Sequence, residues 1–553
     1  MKIFFRIHLI ILLGTGHFGV AQENLKVTEA FGDRLIIGLV ANPLKEFNPF
    51  RIDSPAEKEI TGLIFGYGLL QKPGKTEVSN SIIDRIIYDT QNRNNLTWRV
   101  VLNRNIIFHN GSFLSNTDVK FTFDLLKIYG GNILNRRLDF RNLKDVSIEG
   151  DLEVKFQLSE PETDFYEKLY DVPILSRNYY LDVENDGYKV FSEKSPMGLG
   201  PFSYDFQNGT ALIINYHPNF YGGRPFLENI LVEYFENETQ LVDAFTNKNV
   251  DYIEVPDPIT AQEIHKLIGS SCIVFTIPRP EKKVYFILIN TRKFPLNDIE
   301  VRKSIDFALN REELIKKLQL KQVANTIFDS DNPYYFKTAF RKQYDPQEAI
   351  LGLREAGWSL NQRTGILEKN GRNLNLNLNF SQSSYMEESV ARALKISLAE
   401  LGINLNPVPI ITQMKERVIK EGEFDMMVYS YTYDQDYLFE ACEEFYFEIL
   451  KGNLSSPNYE NRYLDRLFNR SYQDYEVRER LYQRIQFYLK RELPAIFLFF
   501  DERIIVAINN RFHKFRTVFR ENDRSYYRLA PFENWFVPRY LQRFSTESSG
   551  FEQ

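Results

Sequence analysis

The stretch from Leu374 to Ile410 limits the possible folds more than any other part of the chain. LNLNLNF (374–380) alternates apolar and polar residues, the period of a half-buried β-strand. ESVARALKISLAEL (388–401) carries apolar residues at helical spacing and stops before Gly402, a residue suited to a helix end. INLNPVPI (403–410) reads as a second strand. Strand, helix, strand implies two parallel strands joined by a crossover, expected to be right-handed. Parallel sheets need helices on their faces, so an α/β architecture is expected.

The same elements recur along the chain. RLIIGLVA (34–41) and KVYFILIN (283–290) read as buried strands. YDPQEAILGLREAGW (344–358) is an amphipathic helix ended by Gly357. RERLYQRIQFYLKRELPAIFLFF (478–500) is a helix, a proline stop and a buried strand. A chain of 553 residues exceeds what one hydrophobic core supports. The proline- and charge-rich IPRPEKK (277–283) is a natural joint between two units.

Charge narrows the classes of partner. The formal net charge is −6 and no basic tract stands out, which argues against a nucleic-acid partner. MKIFFRIHLIILLGTGHFGVAQ (1–22) begins with basic residues, continues with an apolar run and ends with small residues. That is the pattern of a secretory signal peptide, cleaved after Ala21, and no cysteine near that point offers a lipid anchor. Cys272 and Cys442 are the only cysteines. Export permits a bridge between them, but sequence cannot place them within bridging distance, and small buried hydrophobes are the preferred reading.

FHNGSFLSNTDVKFTFDLL (108–126) brings a histidine and two aspartates together. Asn110-Gly111 is a turn, and His109 beside it reads as a turn residue bonding backbone rather than as a ligand. Ser115 and Asp118 have the spacing of a capping box at the start of a helix. No HExxH, GxSxG, GxxxxGKS/T, GxGxxG or paired CxxC is present, and no histidine cluster proposes a metal. No catalytic residue, metal or cofactor is therefore assigned.

Several segments, in order, resemble the family 5 (cluster C) extracellular solute-binding proteins of ABC importers, the dipeptide- and oligopeptide-binding type. The first block carries Trp98, Phe108, His109, Gly111, Ser115, Asp118 and Val119. The second is the turn Gly198, Gly200, Pro201, Phe202, and the third holds Asn215, Tyr221, Gly222 and Pro225. A fourth holds Asn290, Pro295, Asp298, Val301, Arg302, Ala308 and Arg311. The resemblance implies a two-lobed periplasmic-binding-protein fold (type II, cluster C) with a hinge. Lobe I would span 24–279, with an extra subdomain over about 61–194, and lobe II 280–498. A return segment, 499–545, would complete lobe I. Solute would bind between lobes that close over it and then dock on inner-membrane permease subunits. A periplasmic monomer is expected.

The resemblance also implies a binding site. In peptide-binding members an aspartate in a loop after a lobe II strand anchors the ligand's ammonium group. Here that stretch is YSYTYDQDY (429–437), and Asp434 takes the anchor position, with Tyr431 where a tryptophan is usual. A buried ammonium needs a carboxylate partner. Ser430, Tyr431 and Thr432 would offer strand-edge groups to an extended peptide. Asp436 is the alternative anchor. Tyr431, Tyr433 and Tyr437 could instead stack on a sugar, so an oligosaccharide or another small solute is the alternative ligand. A secreted hydrolase is a third possibility that no motif favours.

Overall fold

The protein is described from a computed structural model covering residues 31–52, 55–66, 82–88, 96–133, 136–138, 140, 142–160, 165–169, 172–279, 281–336, 344–434, 438–453, 455–471, 475–521 and 524–544. Residues 1–21, expected from sequence to be a signal peptide, lie outside the described residues, as do Pro280, Asp436 and Tyr437.

The chain opens with β1 (Arg34–Val40) and α1 (Pro55–Phe65). A small four-stranded antiparallel sheet follows, made of β2 (Ile83–Tyr88), β3 (Thr97–Leu102), β4 (Leu143–Ile148) and β5 (Glu153–Leu158) in the order β2-β3-β5-β4. Its core side carries Trp98, Val100 and Leu102, as the alternation of β3 predicts. Helix α2 (Asn116–Tyr129) packs on it, turning Val119, Phe123 and Leu126 inward.

The chain then adds β6 (Phe202–Gln207), β7 (Ala211–Tyr216), β8 (Asn229–Phe235), α3 (Glu238–Thr246), β9 (Tyr252–Val255), α4 (Pro258–Ile268) and β10 (Cys272–Pro278). It crosses into a second sheet with β11 (Lys282–Ile289), β12 (Gln322–Val323), α5 (Pro346–Glu355) and β13 (Asn375–Ser381). There follow α6 (Tyr385–Glu400), β14 (Asn404–Ile410), α7 (Lys415–Glu421), β15 (Met426–Tyr433), α8 (Leu438–Glu444), α9 (Tyr475–Glu492) and β16 (Ala495–Phe500). It returns through β17 (Arg503–Asn509). One sheet is ordered β10-β17-β9-β1-β8-β7-β6, the other β12-β16-β11-β15-β13-β14. The expected parallel pair is β13 with β14, in register from Asn375↔Asn404 to Ser381↔Ile410.

Both sheets are covered on both faces, which is why their central strands read as unbroken apolar runs. In β11, Val284, Phe286 and Leu288 enter one core while Tyr285, Ile287 and Ile289 enter the other. The two crossings run side by side. Arg279 N–H donates to the Glu502 carbonyl at 2.9 Å, and Asp501 N–H to the Lys283 carbonyl at 2.8 Å. β10 pairs with β17 and β11 with β16, so a two-stranded ribbon runs from one sheet into the other.

The returning segment is tied down by a buried charge cluster. The Arg511 guanidinium bonds Asp33 and Asp251, at 2.8 Å for Asp251 Oδ2. The Asp33 carboxylate also accepts the N–H groups of Arg543 and Phe544 at 3.1 and 3.2 Å. Cys272 and Cys442 are both buried, unbridged and in separate cores, which settles the question the sequence left open.

Candidate functional site

In open α/β sheets, ligands collect beyond the carboxyl ends of parallel strands, where helices begin. In the first sheet β1 runs parallel to β8 and β9, so Val40, Phe235 and Val255 end at one edge. Helix α3 starts there under an Asn237 cap, and α4 starts under an Asp257 cap. In the second sheet β13 runs parallel to β14 and β15, so Ser381, Ile410 and Tyr433 end at one edge. Helix α6 starts there, with Ser384 as its cap. These two edges face each other. The Tyr385 N–H at the start of α6 donates to Glu238 Oε2 at the start of α3, at 3.4 Å. The space between the lobes is thus bounded by the carboxyl edges of both sheets.

β15 reaches into this space. It pairs with β11 along its whole length, from Met426↔Ile289 to Tyr433↔Lys282. On its other side β13 pairs only with Met426 and Met427. At the next rung the Val428 carbonyl accepts a hydrogen bond from Lys415 Nζ at 3.2 Å. Backbone groups alternate sides along a strand, so Ser430 turns its N–H and C=O towards that same edge. Asp434 follows directly at the strand end and is half-buried.

The side chains of YSYTYD divide between the two faces of β15. Tyr431 and Tyr433 are core residues, 4% and 0% exposed, with rings stacked at 5.7 Å. The Tyr431 hydroxyl donates to the Ala441 carbonyl at 3.1 Å, and the Tyr433 hydroxyl to the Ile327 carbonyl. Burial holds both phenols well above their usual pKa range. Their rings are spent on packing and are not offered to a ligand in the space between the lobes. Ser430 and Thr432 are half-buried on the opposite face, and Thr432 lies across from Lys283. The structure therefore brings Ser430, Thr432 and Asp434 to one strand end, while Tyr431 and Tyr433 turn their side chains into the core and their backbone groups towards β11.

Charged groups that sequence reasoning did not single out surround this end. Glu387 and Lys415 form a buried pair, with Nζ at 2.5 and 2.6 Å from the two carboxylate oxygens. Glu387 Oε2 also accepts the Ser381 N–H at 2.8 Å, which fixes the carboxyl end of β13. Burial pulls the Lys415 pKa down. Burial, then the neighbouring Arg279, does the same to Lys283, which Asp501, Glu254 and Glu387 counter. Burial pushes the Glu238 carboxyl up to about 7, against the pull of the Tyr385 N–H and Lys283. Glu59 on α1 is pushed up to about 8 by burial and by the carboxylates of Glu254 and Glu281. These residues come from separate segments, so no local motif could have announced them.

The residues that looked chemical in sequence have structural work instead. Asp118 Oδ2 accepts the Ser115 N–H at 2.8 Å, and Oδ1 accepts the Arg177 N–H at 2.7 Å. His109 Nε2 donates to the Gly200 carbonyl at 3.0 Å, and Nδ1 accepts the Gly198 N–H at 3.3 Å. Burial lowers the His109 pKa to about 4, so the ring is neutral. It clamps the glycine-proline turn against α1. Among the described residues no three His, Cys, Asp or Glu side chains gather as metal ligands, and no helix is long and apolar enough to cross a membrane.

Comparison with known proteins adds the family. A model described as bacterial extracellular solute-binding proteins, family 5 Middle, matches residues 80–446. The oligopeptide-binding protein AppA of Bacillus subtilis is 23% identical over 507 residues, covering 87% of this chain and 88% of that protein. The structure of AppA from Bacillus subtilis in complex with a nonapeptide aligns with a TM-score of 0.68 at 21% identity, covering 92% of this chain and 99% of that one. NikZ from Campylobacter jejuni in complex with Ni(L-His) aligns with a TM-score of 0.69 at 19% identity, covering 87% and 95%. Those structures share the two-lobed α/β fold that the ordered sequence blocks led us to expect. With the family match spanning most of the chain, this protein belongs to the family 5 bacterial extracellular solute-binding proteins.

Proposed function

We propose that the protein captures peptides between its lobes and presents them to the permease of an ABC importer on the periplasmic side of the inner membrane. One observation carries the reading: the edge of β15 beyond Met427 has no strand beside it among the described residues, and it ends at Asp434. An extended peptide can pair with such an edge through main-chain hydrogen bonds, which gives affinity with little side-chain selectivity. Asp434 then stands where the ligand's ammonium group would lie. AppA, an oligopeptide-binding protein similar over most of its length, supports the same ligand class.

In this reading lobe I comprises 24–279 with the return segment up to 545, and lobe II comprises 280–498 together with Phe499 and Phe500, which complete β16 in the second sheet. The ribbon through Arg279 and Glu502 is the hinge. The protein works as a monomer and catalyses no reaction, and its role is to bind and release.

Isothermal calorimetry with di- to pentapeptides tests the proposal, with cello-oligomers as the contrasting series. Peptides should bind and the sugars should not. Asp434→Asn should weaken peptides with a free N-terminus by about tenfold or more, the scale of a lost charge-assisted bond. N-acetylated peptides should be unaffected by it. Equal losses for both series would remove the ammonium role, and binding of the sugars alone would remove the peptide reading.

A further inference from the structure

Among the described residues, a hydrogen bond between α3 and α6 crosses the space between the lobes, and it joins two helix N-termini. Helix starts leave backbone N–H groups without helical partners and favour nearby negative charge. In α6 the Ser384 hydroxyl takes the Glu387 N–H at 3.3 Å. The Tyr385 N–H takes its acceptor from the other lobe, Glu238 Oε2. Glu238 is the first residue of α3, so its position is fixed by the Asn237 cap, whose side chain accepts the Gln240 N–H at 2.9 Å. A carboxyl carried by the first residue of a capped helix on one lobe thus caps a helix on the other.

We propose that Glu238 is an interlobe latch: shutting the lobes seats its carboxyl group on the start of α6, and this contact sets how tightly the cleft holds what it has captured. The latch follows from the lobe geometry, and it rests on the peptide reading only where affinity is measured.

The latch couples closure to protons. Glu238 is faced by Asp257 at the start of α4, Lys283 on β11 and Glu387 on α6, the last paired with Lys415 on α7. Burial, helped by Asp257 and Glu387, pushes its pKa up to about 7 from the ordinary 4.5. With the lobes apart the carboxyl regains water. The closed form therefore binds a proton that the open form releases. Closure is favoured below about 4.5, weakens as pH rises through that window and levels off above about 7. The protonated carboxyl keeps its carbonyl oxygen as the acceptor for Tyr385.

The test uses the full mature chain and tetra-alanine as probe, with wild type, Glu238→Gln and Glu238→Ala compared from pH 5 to pH 8. Wild-type affinity should fall by about tenfold or more across that range. Glu238→Gln keeps an acceptor and cannot ionise, so its profile should be flatter and its affinity at pH 8 higher than wild type. Glu238→Ala should bind more weakly than Glu238→Gln throughout. Spin labels on cysteines placed at exposed Lys266 and Lys395 report the interlobe distance without ligand, because both native cysteines are buried. The closed distance should fade with rising pH in wild type and not in Glu238→Gln. Identical pH profiles and distances for those two proteins would overturn the latch. Failure of tetra-alanine to bind any of them, with the distance shift intact, would leave the latch standing and remove the peptide reading.

Discussion

Replacing Lys415 by methionine isolates a buried ion pair beside the cleft. Its ammonium group and Glu387 are 7% and 5% exposed, so both charges are effectively out of water. Removing one partner of such a pair leaves an uncompensated buried charge, a loss of about 3–5 kcal/mol. Methionine nearly matches the volume of lysine, so cavity formation adds little. The Val428 carbonyl also loses a donor, worth about 1 kcal/mol. For a unit near 200 residues, the charge term alone corresponds to a fall in melting temperature of roughly 6–20 °C. Glu387→Gln on the same background removes the stranded charge and keeps an acceptor for the Ser381 N–H. The double variant should therefore recover about 2–4 kcal/mol of the loss, a coupling that a double-mutant cycle reads directly. Urea titrations followed by circular dichroism supply the four stabilities. A loss under about 1 kcal/mol for Lys415→Met, or a double variant no better than the sum of the singles, refutes the account of Lys415 and Glu387 as a mutually dependent buried pair.

Other outcomes follow from the glycine-proline turn. A Cβ on Gly200 would fall 2.2 Å from the Leu63 carbonyl oxygen, so Gly200→Ala should cost about 3 kcal/mol, whereas Gly209→Ala, with nothing within 4 Å, should change stability by less than about 0.5 kcal/mol in thermal melts. His109 titrates near 4 when folded and near 6.5 when unfolded, so the unfolded chain binds the extra proton between those values. Its contribution is complete above about 6.5 and is lost as pH falls towards 4, and His109→Gln should flatten that part of the stability profile.

Period and punctuation carried much of the fold. The alternation of LNLNLNF put Leu374, Leu376 and Leu378 inside and Asn375 and Asn377 outside, because one face of β13 meets a helix-covered core. The exposed asparagines then bond Asn404 and Asn406 of β14 at 2.9 and 3.1 Å, a ladder that strengthens the register. Ser115 and Asp118 were readable as a helix start because capping is local. The same alternation also bears on YSYTYD. A period of two sends Tyr431 and Tyr433 to one face and Ser430 and Thr432 to the other, but sequence does not say which face is core. The apolar surroundings of Phe286, Phe445 and Phe497 decide it, and they come from three distant segments.

The cleft was the least legible part for a related reason. Its charged groups gather only because the carboxyl ends of parallel strands from two sheets meet. Glu59, Glu238, Glu254, Lys283, Glu387 and Lys415 each look like an ordinary surface residue in its own segment. The 108–126 stretch is the opposite case, where neighbours in sequence stay neighbours in space and satisfy one another. A histidine that already holds two backbone groups and an aspartate that accepts from two N–H groups have little capacity left for a ligand. Groups held near one another without being fully paired keep that capacity. At the strand ends of this protein Glu238 reaches across to α6, and beyond Met427 the edge of β15 has no strand beside it among the described residues.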